Sequence, residues 1–189
     1  VERVFLLMPN GRQMAMATPV DVHPENSPEE MVEEVDALGN VLRLVTRREM
    51  RAGALWHRAV FVAVRSTAGD LLVHRRAETK DVWPGWWDVA VGGVLSPGES
   101  WEVAAQRELS EEMGVSGVEL QPLGTGAYRD GAVKLVAACF HAVCDGPFAF
   151  SDGEITETQW VAEGDLRARI RQNSFLPDSL ALILPRIGL

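Results

Sequence analysis

From Gly92 to Val115 the chain reads GGVLSPGESWEVAAQRELSEEMGV, and this stretch constrains the fold more than any other. A turn-forming entry ends at Ser100, a residue type suited to a helix N-cap. Gly114 suits the left-handed position that stops a helix. Between them Trp101, Ala105, Leu109 and Met113 recur every four residues, so one stripe of the helix must face a core. Glu108, Glu111 and Glu112 fall with Ala104 on a different stripe. Like charges at this spacing repel. The carboxylates therefore need solvent, protons or a bound cation. Oxygen-rich clusters suit hard cations such as Mg2+. The preceding Gly92-Gly93 pair lets backbone approach a ligand closely and offer a carbonyl oxygen. Taken alone, the helix also fits a solvated acidic face.

The rest of the chain reads mainly as strands. MVEEVDALGNVLRLVTR suggests two short strands about Leu38-Gly39-Asn40, and TRREMRAG a short helix ending at Gly53. RAVFVAVRSTAGDLLVHRR suggests a hairpin about Ala68-Gly69-Asp70. WWDVAVGG reads as one strand, LGTGAYRDGAVKLVAACFHAVC as two, and TETQWVA as another. EGDLRARIRQ and PDSLALILPRI read as two C-terminal helices, with Pro177 in a first turn and Asp178 placed for the helix dipole. Strands with mostly local pairing, plus a few helices, predict a mixed sheet with helices packed on it, an α/β or α+β sandwich. HPENSPEE (His23–Glu30) reads as a linker. Residues 1–30 are thus expected to form an extension, with a hairpin about PNGRQ, and residues 31–189 one domain.

A net charge of −9 argues against a broad nucleic-acid surface, although a local basic patch or a metal can still hold phosphates. Cys139 and Cys144 form no CxxC pair or disulfide framework and read as structural thiols. No apolar run is long enough to span a bilayer, and the start lacks signal-peptide architecture, so a cytoplasmic protein is expected.

The spacing sharpens the reading of the acidic helix. Gly93 is followed after five residues by Glu99, then after seven by Arg107-Glu108, Leu109, Ser110, Glu111-Glu112, Met113, Gly114 and Val115. This matches the Nudix box, G-x5-E-x7-R-E-U-x-E-E-x-G-U with U a bulky aliphatic residue, at every defined position. From about Val35 to its C-terminus the chain resembles a Nudix hydrolase. The resemblance implies an α/β/α sandwich bearing a loop–helix–loop motif that binds Mg2+ (or Mn2+). It also implies cleavage of a diphosphate linked to another moiety, X. On this chain Glu111 and Glu112 become the main metal ligands, and Gly93 supplies its carbonyl. Glu108 becomes a ligand or an orienter of the attacking water. Glu99 and Arg107 become a structural ion pair. Family members often draw a further base from outside the box; Glu157, with Glu154 beside it, is the candidate, set against a plain solvated loop.

A second stretch, LLVHRRAETKDVWPGWWDVAVGG, resembles isopentenyl diphosphate isomerases of the same superfamily. There an Arg and a Lys four residues apart hold the substrate diphosphate, and Arg76 and Lys80 match them. Cations suit that task. Arg75 also fits a solvated hairpin end. His57 falls near an isomerase metal ligand but reads as structural. DVAVGGV carries neither the Cys nor the His of isomerase chemistry. The chain is therefore most similar to bacterial hydrolases related to isomerase, which share the ETKD…PG…D…GG stretch and the Pro177-Asp178-Ser179-Leu180 helix. Among Trp83, Trp86 and Trp87, Trp86 is the choice for stacking on a base, with core packing the alternative for each. Trp101 and Trp160 read as core.

The expected function is a Mg2+-dependent pyrophosphohydrolase acting on a nucleoside di- or triphosphate, dinucleotide or nucleotide sugar. The alternatives are an isomerase-like enzyme and a catalytically silent nucleotide-binding module. The expected partner is a small-molecule diphosphate, with no nucleic acid and no membrane. A homodimer is expected from the habit of the superfamily.

Overall fold

The structure, a computed structural model, describes residues 27–151 and 153–189, with the strand segments Leu6–Leu7 and Arg12–Met14. Its first elements are β1 (Leu6–Leu7), β2 (Arg12–Met14), β3 (Met31–Val35), β4 (Val41–Thr46) and α1 (Arg47–Ala52). The β1–β2 pair is antiparallel, as a hairpin requires. The turn and the first half of the linker lie outside the described residues. The β3–β4 turn is tied by Asp36, whose carboxylate accepts from the Leu38 and Asn40 amides at 2.8 and 3.0 Å. Thr46 and Glu49 then form a reciprocal capping box that starts α1.

The centre is built from β5 (Trp56–Arg65), β6 (Leu71–Arg76), β7 (Trp87–Asp88) and β8 (Val91–Val94). It continues through α2 (Trp101–Met113), β9 (Gln121–Arg129), β10 (Lys134–Val143), β11 (Ile155–Val161), α3 (Glu163–Gln172) and α4 (Pro177–Ile183). The sheet order is β1-β2-β11-β6-β5-β10-β9, with β8 and β3 also on β5. The β5–β10 ladder is parallel and the other ladders are antiparallel.

Strand alternation sets the layers. Val60, Val62 and Val64 of β5, with Phe140 and Ala142 of β10, pack against Ala105, Leu109 and Met113 of α2. The alternate residues Phe61, Ala63, Leu135 and Cys139 pack against Leu166 of α3 and Leu182 and Ile183 of α4. The result is the expected sandwich, with a mixed sheet between helical layers. Each large apolar side chain buried this way contributes about 1.5–3 kcal/mol. Cys139 is buried and Cys144 half-buried, both as free thiols. Burial pushes the Cys139 thiol up to about 11.

Two local expectations are corrected. The hairpin about Gly69 closes through a single register pair, Arg65↔Leu71. Beyond it β5 turns to β10 and β8, whereas β6 turns to β11 and β7. WWDVAVGG is not one strand either. The Asp88 carboxylate accepts from the Ala90 amide at 3.2 Å, a local turn that breaks the chain between β7, on β6, and β8, on β5.

Candidate active site

The divergence of β5 and β6 leaves a cleft lined by residues of α1, β5, β6, β7, β8, α2, β10, α4 and the loop after β6. The acidic stripe of α2 lines it. Ser100 caps the helix through the Val103 amide at 3.3 Å. At the other end Gly114, with φ of +67°, donates to the Ser110 carbonyl at 3.0 Å. Capping fixes the phase of the helix, and burial of Leu109 and Met113 turns Glu108 and Glu112 inward. They are only 7% and 3% exposed, so this is not a solvated face. Ala104 is fully buried and joins the core cluster rather than the cleft.

Arg107 organises one side of the cluster. Its Nε and one terminal nitrogen grip Glu99 at 2.9 and 3.0 Å, while the other nitrogen reaches Glu108 at 2.9 Å and Glu111 at 3.0 Å. It also donates to the Val94 carbonyl at 3.3 Å. Glu99 in turn accepts from the Ser96 amide at 3.0 Å. The loop between β8 and α2 is thereby pinned to the helix. Burial opposes the Arg107 charge, but Glu99, Glu108 and Glu111 outweigh it and hold the guanidinium above its ordinary value. Glu108 is pushed well above the usual carboxylate range by burial, with Arg107 opposing and Glu111 adding to the rise.

Lys80 organises the other side. It pairs with Glu154 and stands 3.9 Å from Glu112. Glu112 and Glu154 are themselves hydrogen-bonded. Burial works to raise the Glu154 pKa, but the charge and hydrogen bond of Lys80 prevail and hold it below the ordinary carboxylate value. Glu154 arrives here because the Ala77 amide donates to its carbonyl at 2.8 Å, which docks the start of β11 beside the loop bearing Lys80. Glu157 goes elsewhere. A register irregularity between Ile155 and Glu157 sets it opposite Arg75, and it lines a second cavity with Arg75, Glu78, Trp86 and Asn173. The residue outside the box that joins the α2 glutamates is therefore Glu154. Trp86 likewise lines the second cavity, and Trp83 lines the main cleft.

Arg76 lines the cleft and donates to the Val82 carbonyl at 3.3 Å, while its buried Nε has no hydrogen-bond partner among the described residues. His57 also reaches the cleft, with Nδ1 3.1 Å from the Leu55 carbonyl. Its pKa is driven down to about 4 by burial and then by Arg51. Sequence reasoning missed Arg47 and Arg51 of α1, and Asp88 and Asp178, all of which line the same cleft.

The donor set fits a hard divalent ion. A hydrogen bond between two carboxyls, as at Glu112 and Glu154, requires a shared proton, which a cation of higher charge can replace. Gly93 leaves the necessary room, since a Cβ there would run into the Glu108 carboxylate. Among the described residues, no three acidic, His or Cys side chains already converge as a metal cluster, and Arg107 and Lys80 stand among the glutamates.

Comparison with known proteins agrees with this geometry. The NUDIX domain family model matches residues 55–181. An uncharacterized Nudix hydrolase of Yersinia pestis is 38% identical over 151 residues, covering 80% of this chain and 82% of that protein. The uncharacterized Nudix hydrolase YfcD of Escherichia coli K12 is 37% identical, covering 80% and 83%. The crystal structure of DR0079 from Deinococcus radiodurans superimposes with a TM-score of 0.70 at 27% identity, covering 83% of this chain and 98% of that one. The complete box, the sandwich that carries it and these relatives together assign the chain to the Nudix hydrolase family, enzymes that act on the diphosphate bond of nucleoside diphosphate-linked compounds and generally use divalent metal ions.

Proposed function

We propose that this chain is a Mg2+-dependent pyrophosphohydrolase whose substrate is a nucleoside di- or triphosphate, a dinucleotide or a nucleotide sugar. The observation that carries the reading is the meeting of Glu112, Glu154 and Lys80 beside buried Glu108 in one cleft. Glu108, Glu111, Glu112 and the Gly93 carbonyl would hold the ion, with Mn2+ as a substitute. When bound, the ion supplies charge compensation for the diphosphate and Lewis acidity at phosphorus.

The chain's own residues do the rest. Arg76 and Lys80 bind diphosphate oxygens through charge-assisted hydrogen bonds. Glu108 orients the attacking water. Glu154, kept ionised by Lys80, takes the water's proton as the new oxygen–phosphorus bond forms and the bond to the leaving phosphate breaks. Glu99 and Arg107 keep the loop and the helix in register. Glu154 takes the base role that the sequence reading gave to Glu157.

Glu154→Gln and Glu157→Gln separate the two assignments. Loss of a general base costs about 100-fold or more in kcat. Glu154→Gln should show that loss and Glu157→Gln should stay within a few-fold of wild type. The reverse order would return the base to Glu157. The assay is phosphate or nucleotide release from a panel of diphosphate compounds with Mg2+, Mn2+ or chelator.

A further inference from the structure

The loop after β6 is tied into the cleft residue by residue. Lys80 pairs with Glu154. The Asp81 carboxylate accepts from Arg51 Nε at 2.7 Å. The Val82 carbonyl accepts from Arg76 at 3.3 Å. Trp83 then holds a left-handed backbone, φ of +47°, a conformation that a bulky residue adopts only when its surroundings enforce it. Three consecutive loop residues thus gather cations from three elements into one cleft: Arg51 of α1, Arg76 of β6 and Lys80 itself. The capping box at Thr46 starts α1, and Arg47 and Arg51, one turn apart, both line the cleft.

Nearby carboxylates do not balance these cations. Lys80 has Glu154 and Arg51 has Asp81, whereas Arg76 pairs with no carboxylate among the described residues. Arg51 uses only Nε on Asp81. Its two terminal nitrogens make no hydrogen bond among the described residues. Burial lowers the Arg51 pKa, Asp81 opposes, and Arg47 and Arg76 lower it further, leaving the guanidinium below its ordinary value. Like charges gathered out of water are costly unless an anion joins them. Arg76 and Lys80 already have the diphosphate. Arg51 adds a planar fork of donors near Arg76, a geometry suited to the paired oxygens of a phosphate. We infer that Arg51 is a specificity-determining residue that holds a further phosphate of the substrate, one beyond the diphosphate that is cleaved, carried at the end of the phosphate chain or on the ribose. The inference rests on the hydrolase reading and names the substrate feature its cleft prefers.

The test is calorimetric binding, with Mg2+, of adenosine di- and triphosphate analogues in which methylene groups replace every oxygen between phosphorus atoms. The 2′- and 3′-phosphorylated forms of the diphosphate analogue are added. Wild type should bind one of the forms with the extra phosphate at least about tenfold more tightly than the plain diphosphate analogue, as charge-assisted hydrogen bonds do. Which form wins tells the chain end from the ribose. Arg51→Gln should abolish that preference and leave the plain diphosphate analogue within about threefold. Asp81→Asn breaks the same ion pair but keeps the guanidinium, and should retain or widen the preference; each variant is checked by its melting transition. Equal affinity of wild type for all probes, no binding of any probe, a preference that survives Arg51→Gln, or the same loss in both variants overturns the inference. Selective binding that Arg51→Gln removes, without hydrolysis of any diphosphate compound, would leave the inference standing and refute the hydrolase reading.

Discussion

At the scale of single residues, the structure turns on charges held out of water. His57 and His74 are both buried. Burial and Arg51 drive His57 down to about 4, and burial, Arg76 and Lys80 drive His74 down to about 3, from the ordinary 6.5. A depressed histidine leaves the unfolded chain to take up protons first. Its contribution to stability is therefore whole above pH 6.5 and is lost as pH falls toward 4 and 3. Asp178 has the opposite sign, since its raised pKa favours the fold at low pH and that contribution fades as pH rises through about 7. NMR titration of the imidazoles should find His57 and His74 neutral at pH 5; either ring titrating near 6.5 would contradict the packing. Arg107 is the other critical residue. Arg107→Ala leaves Glu99, Glu108 and Glu111 uncompensated and should cost about 3–5 kcal/mol in denaturant unfolding. Sequence spacing pointed to the glutamates of α2 and to Arg107. It did not separate Glu154 from Glu157, because a register irregularity in β11 and one backbone bond from Ala77 decide which of them enters the cleft.

Elements were legible where their signals are local. Ser100 and Gly114 bound α2, and Gly39 marks the β3–β4 turn with φ of +87°. What local signals could not carry is the splay of β5 from β6. The partners of β5 come from distant segments, with Lys134 of β10 beside Trp56 and Gly93 of β8 beside Val60. That splay makes the cleft, and packing brings Asp88 and Asp178 to it from separate elements, β7 and α4. The glycine pair of β8 tests the arrangement. A Cβ on Gly92 would strike the Val60 carbonyl oxygen across the β5–β8 ladder, whereas one on Gly93 would strike the Glu108 carboxylate. Gly92→Ala should therefore lower stability by about 1–3 kcal/mol, as overpacking does. Gly93→Ala should keep most of its stability and lose activity, because a side chain gives way more easily than backbone. Equal melting losses and equal residual activity for the two variants would contradict this division.

For the whole molecule, the splay of β5 from β6 opens a cleft that gathers the α2 glutamates with Arg76, Lys80, Asp88, Glu154 and Asp178. The family, the sandwich and the box helix were legible from sequence, because the box fixes residue types at set spacing. The substrate was not, since it depends on side chains gathered from six or more elements. No described helix is long and apolar enough to cross a membrane. Binding of Mg2+ should stabilise the fold by about 2.7 kcal/mol at a hundred times its Kd, seen as a rise in melting temperature that Glu112→Gln removes. The central claim is that the buried glutamates of α2 seat a divalent ion for diphosphate hydrolysis. The most direct measurement is turnover of the diphosphate panel by wild type and Glu112→Gln, each with Mg2+ and with chelator. The account predicts that one class of compound is hydrolysed by wild type with Mg2+, and that chelator or Glu112→Gln lowers the rate about 100-fold or more. Turnover that survives both chelator and Glu112→Gln at near wild-type rate would contradict it.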